Sequence, residues 1–146
     1  MNKFKVGYAK VDVTAPTGIE LSGYFQKRIA DGVLDNLQAI ALAVNKGQTT
    51  TVLVTIDCLG ITKDFADLCK TKANEKTGLP MDAIFIHGTH THTGPGAGVA
   101  DEGRCHLFDG TAEYNERLAE SLSNVAKMAV ADMVPASLAY GRAEAR

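Results

Sequence analysis

The chain has 146 residues, 45% hydrophobic and 22% charged, the balance of an ordinary folded domain with a real core, which excludes disorder, collagen and coiled coil. A formal net charge of −2 with no run of Lys or Arg leaves nothing to grip a phosphate backbone, so nucleic acid is not an expected partner. The longest apolar runs, "LQAIALAV" and "TTVLVTI", fall far short of the roughly 20 residues that a bilayer span takes, so no transmembrane segment is expected.

The N-terminus "MNKFKVGYAK" has no apolar stretch of signal-peptide length, and Cys58, Cys69 and Cys105 are an odd, widely spaced set. Free thiols follow, with a cytoplasmic location if Met1 is the true start and a secreted or periplasmic one if a signal peptide precedes it. No repeat, low-complexity tract or linker divides the chain. Phe4, Val6 and Tyr8 alternate with Lys5, Gly7 and Ala9, predicting a half-buried first strand that ends near "TAPTG". "LQAIALAV" and "TTVLVTI", flanking "NKGQ", predict two buried, central strands joined by a tight hairpin.

After Gly60 the period changes. Thr62 is placed to cap a helix, Phe65, Leu68, Cys69 and Ala73 share one face, and Gly78 with Pro80 ends it. "TGPGAG" at residues 93–98 predicts a flexible turn after a short strand "AIFIH", which completes a strand–helix–strand unit with parallel strands. A second helix starts near Thr111, with Tyr114, Leu118, Leu122, Val125 and Ala129 on one stripe, and "ASLAYGRAEAR" predicts a last strand. The fold class is α/β, a mixed sheet with helices packed on it.

In such sheets ligands gather at the carboxyl ends of parallel strands. Asp57 ends one predicted strand, and "HGTHTH", with His87, His90 and His92, ends the other. Asp57 and His90 are therefore expected on one edge of the sheet, on adjacent parallel strands. Residues two apart on extended backbone point the same way, so His90 and His92 can share a pocket, as two zinc ligands or as one ligand beside an acid/base group. His87, behind Gly88, is the weaker candidate.

Blander readings stand beside these. A single histidine is more often structural, but three within six positions after a buried strand point to function. Asp57 either caps a turn or touches the site. Cys58 reads as packing rather than as a nucleophile, and Cys69 as core. Cys105 and His106 in "GRCHLF" read as loop, since adjacent residues on an extended chain diverge. "TGPGAG" lacks the Lys-Ser/Thr ending of a phosphate-binding loop.

"VGYAKVDVTAPTGIELSGY", "GVLDNLQAIALAV", "VLVTIDCLG" and above all "HGTHTHTGPG" occur in an order and spacing that resemble the N-terminal catalytic region of neutral/alkaline ceramidases. The resemblance covers almost the whole chain. It implies a zinc-dependent amidase that cuts an N-acyl bond, with His90 binding Zn2+ and His92 lining the catalytic centre; the residue pattern itself offers Asp57 and His87 as candidate supporting groups behind them. Zinc would polarise the amide carbonyl and lower the pKa of a bound water to roughly 7, and His92 would meet the developing oxyanion or shuttle the proton. His87 falls where the family need not have histidine. Relatives tend to carry His at the position of Leu34, Pro at Asn36 and Arg at Ile40, so this chain has fewer polar groups there and its substrate, a small N-acyl amide or a lipid, is not specified. The family's other zinc ligands, a His, a Glu and a Tyr, and its Ser lie downstream. The resemblance thus implies that residues 1–146 are the N-terminal portion of a longer catalytic domain, inactive alone. Two rivals remain: another His-x-His metal hydrolase, such as the metallo-β-lactamase type, which wants Asp-His soon after the pair, and a non-catalytic binding relative.

Overall fold

The computed structural model describes residues 4–98 and 111–144; the Cys105–His106 pair lies outside the described residues. Five strands form one mixed sheet: β1 (Phe4–Asp12), β2 (Gln38–Lys46), β3 (Thr49–Ile56), β4 (Ile84–Gly88) and β5 (Val134–Ala136). Their order is β4-β3-β2-β1-β5, with β3 and β4 parallel and the other pairs antiparallel. Helices α1 (Lys63–Thr77) and α2 (Thr111–Ala131) pack against it.

The β2–β3 hairpin is closed by two residues, and Gly47 at φ 66° supplies the left-handed conformation that such a turn favours. The Asn45 side chain braces it by donating to the Thr50 hydroxyl at 2.8 Å. Helix α1 starts after Thr62, although the Thr62 side chain makes no capping hydrogen bond, and it ends at Gly78 at φ 71°. Its buried residues are Phe65, Cys69 and Ala73. Leu68, expected on the same face, is 46% exposed: α1 packs chiefly against α2, and Phe65, Cys69 and Ala73 are the residues it buries. The α2 stripe of Tyr114, Leu118, Leu122, Val125 and Ala129 is buried as the 3.6-residue period predicts. Burying Leu118 and Leu122 stabilises the packing by about 1.5–3 kcal/mol each.

The sheet presents its smaller residues to α2. Gly7, Ala9, Ala39, Ala41 and Ala43 are buried on that face, whereas Tyr8, Leu42, Leu53 and Phe85, in register across four strands, are exposed on the other. A methyl added at Gly7 would stand 1.9 Å from the Ala129 carbonyl oxygen, so the helix rests directly on β1 backbone. The expected last strand is also corrected. Pairing with β1 is confined to Val134–Ala136, and residues 137–144 are irregular, having no neighbouring strand to hydrogen-bond.

Candidate functional site

The parallel β3–β4 pair positions the site. Asp57 follows β3 directly, and His90 comes two residues after β4, so both sit at the carboxyl ends of adjacent parallel strands as the sequence predicts. Asp57 is a tie between segments: one carboxylate oxygen accepts the Gln38 N–H at 2.9 Å and the other accepts the Thr89 hydroxyl at 3.1 Å. It holds the residue before His90 against the start of β2.

From there the chain loops out and returns. Thr89 N–H donates to the Ile56 carbonyl at 2.9 Å; further on, Ala97 N–H donates to the Gly60 carbonyl at 2.9 Å and Thr62 N–H to the Ala97 carbonyl at 3.1 Å. Gly98 N–H reaches the Asn115 side-chain oxygen on α2 at 3.2 Å. The "TGPGAG" stretch is therefore packed rather than flexible, with Gly94, Pro95 and Ala97 buried. His90 lies within this pinned loop at φ 62°, the one described non-glycine residue in the left-handed region.

The His90 and His92 rings stand 5.2 Å apart between centroids at 82°. His90 Nδ1 lies 2.8 Å from the Leu59 carbonyl oxygen, and His92 Nδ1 lies 3.0 Å from the Gly23 carbonyl oxygen. A carbonyl oxygen only accepts, so in each ring Nδ1 carries a proton, and in the neutral ring Nε2 keeps its lone pair. Tyr24 meets His92 edge-on, with ring centroids 5.9 Å apart, and the Arg28 guanidinium stacks 4.3 Å from the Tyr24 centroid. Neither carbonyl has a sequence signature, so these partners were not visible in the residue pattern.

His87 belongs elsewhere. It projects from β4 on the sheet face away from the helices, with Nε2 2.9 Å from the Thr55 hydroxyl. Asp57 hydrogen-bonds to neither ring; its partners are Gln38 and Thr89. Among the described residues no three of His, Cys, Asp or Glu gather as a metal-binding group. Cys58 is buried, its thiol pushed up to about 11 by burial, with the Asp57 charge adding to the rise, which is the environment of packing and not of a nucleophile. Cys69 is buried likewise and pushed up to about 12. Leu34 is fully exposed, and Ile40 lies in register with Thr55 and His87. No described helix is long and apolar enough to cross a membrane.

No protein-family model matches the chain, and no curated protein matches it significantly. Solved structures do. Neutral ceramidase from Pseudomonas aeruginosa superposes with a TM-score of 0.77 at 18% identity, over 92% of this chain and 22% of that one. A ceramidase complexed with C2 superposes at 0.75 with 20% identity and the same coverage. The chain has the fold of a neutral ceramidase segment. It spans about a fifth of the length of those ceramidase chains. Both rings are oriented through Nδ1, which is how metal-binding histidines are usually held, so in the neutral rings Nε2 could take a metal ion.

Proposed function

We propose that residues 1–146 form the N-terminal portion of a zinc-dependent amide hydrolase of the neutral ceramidase type, acting on an N-acyl amide or lipid amide. One observation carries the reading: His90 and His92 each place Nδ1 against a backbone carbonyl, which in the neutral ring leaves the Nε2 lone pair free, beside the carboxyl ends of parallel strands. A catalytic zinc takes about three protein ligands, so donors outside these residues complete the site.

His90 Nε2 is the ligand contributed here, with the ring oriented by the Nδ1 contact to the Leu59 carbonyl. Zinc, when bound, supplies Lewis acidity to the amide carbonyl and to the attacking water. In the neutral ring, His92 Nε2 has a lone pair that could take up a proton from an attacking water and hand it on to the departing amine. Acting first as an oxyanion donor would need a proton that the Gly23-bonded tautomer does not have on Nε2, so the proton shuttle is the better role. Asp57 acts at one remove, by fixing Thr89.

The test uses the full-length protein. Stoichiometric zinc after dialysis, together with chelator-sensitive hydrolysis of a fluorogenic N-acyl amide, is the expected result. Hydrolysis indifferent to metal removal would overturn the zinc mechanism, and bound zinc without hydrolysis of any N-acyl amide would favour a binding relative.

A further inference from the structure

The segment that holds His92 is a hairpin far from it in sequence. Glu20 and Ile29 form an antiparallel bridge, Leu21 N–H donates to the Arg28 carbonyl at 2.8 Å, and Ala30 N–H donates to the Ile19 carbonyl at 2.9 Å. Two further bonds staple this hairpin to the histidine loop: Ser22 N–H donates to the Gly94 carbonyl at 3.0 Å, and Gly96 N–H donates to the Ser22 hydroxyl at 2.8 Å, with Ser22 itself buried.

At the tip, Gly23 brings backbone against the ring. Its φ of 93° is a conformation that side chains rarely adopt, and a methyl there would stand 2.5 Å from His92 Nδ1 and 2.8 Å from Cε1. Absence of a side chain is thus what allows the Gly23 carbonyl to reach Nδ1. The next residue, Tyr24, stands perpendicular to the ring and is itself capped by the Arg28 guanidinium, a cation–π contact that makes the tyrosine a stiffer wall.

We propose that the Glu20–Ile29 hairpin is a positioning clamp for His92, in which the Gly23 carbonyl fixes the Nδ1–H tautomer and Tyr24, braced by Arg28, fixes the ring orientation. Gly23, Tyr24 and Arg28 are positioning residues. Their use in catalysis rests on the hydrolase reading above; the tautomer they impose does not.

The clamp is tested on the metal-free full-length protein at alkaline pH, where imidazoles are neutral. Long-range proton–nitrogen NMR reads which nitrogen of His92 is protonated. Free neutral histidine prefers the Nε2–H form, so a predominant Nδ1–H form at His92 is the expected result, and a predominant Nε2–H form would overturn the clamp. Gly23→Ala should shift the tautomer ratio toward the free form by about five- to tenfold, which is what one net hydrogen bond is worth. An unchanged ratio in a folded Gly23→Ala protein would also overturn it. Tyr24→Ala leaves the Gly23 backbone in place and serves if Gly23→Ala does not fold; it should mix the tautomers through ring reorientation, and a ratio identical to wild type would remove Tyr24 from the device. In an active enzyme both variants should lower kcat with KM nearly constant. A clamped His92 in a protein that hydrolyses no amide would leave the clamp standing and sink the hydrolase reading.

Discussion

The Asp57 carboxylate accepts the Thr89 hydroxyl at 3.1 Å, joining the residue after β3 to the residue before His90. Its other oxygen takes the Gln38 N–H, so a single side chain sets where the histidine loop leaves the sheet. Asp57→Ala removes both acceptors and should cost about 1.5–3 kcal/mol, the range for hydrogen bonds to a charged group. Asp57→Asn, which keeps a carbonyl oxygen, should cost less. Urea unfolding of both variants checks the ranking.

The two central histidines should separate by metal content. His90→Ala in the full-length protein is expected to lower zinc and activity together. His92→Ala should leave zinc near stoichiometric while lowering kcat by about 10² to 10⁴, the loss for an acid/base group. Metal analysis beside kinetics distinguishes them, and equal zinc loss would make the pair a joint metal clamp.

His87 offers the internal control. Its bond to the Thr55 hydroxyl ties it to the exposed face of the sheet. His87→Ala should leave both zinc content and kcat within about twofold of wild type and cost no more than about 1 kcal/mol of stability, as for one exposed hydrogen bond. A tenfold fall in zinc affinity would bring His87 into the metal site after all.

Cys58 and Cys69 should make the fold sensitive to alkali. Their ordinary thiol value of 9.0 is raised by burial to about 11 and about 12. The folded state therefore holds these protons above the pH at which the unfolded chain releases them. Stability on this account is whole below pH 9 and falls as pH rises through about 11 and 12. Denaturant midpoints measured across that window should decline, and Cys69→Ala should flatten the decline. A thiol reagent should react with neither cysteine at neutral pH unless the protein is unfolded.

The element order was readable from the hydrophobic pattern: alternation for β1, nearly continuous apolar runs for β2, β3 and β4, and the 3.6-residue period for α2. The i, i+2 argument for His90 and His92 assumed extended backbone, whereas His90 stands at φ 62° and the two rings lie 5.2 Å apart on a bent loop. Orientation was less readable. Alternation in β1 says that its two faces differ, and bulk suggests that Phe4, Val6 and Tyr8 turn inward, yet the helices cover the face of Gly7 and Ala9. Hydrophobic pattern cannot report that a helix has come close enough to require no side chain. The partners of the imidazoles were hidden for a related reason, since the carbonyls of Gly23 and Leu59 are common to every residue type and become specific only through the fold. The tail beyond Ala136 misled through composition: apolar residues there have strand character without a strand to pair with.

Where Gly7 admits the Ala129 carbonyl, the chain's freedom to vary is governed from its smallest residues outward. One methyl at that point would have to lift a 21-residue helix, and the helix carries Asn115, which holds Gly98 at the end of the histidine loop. Drift in sequence should accordingly collect at conspicuous side chains such as Leu53 and Phe85, which stand half in solvent, and spare the glycine and alanines beneath α2.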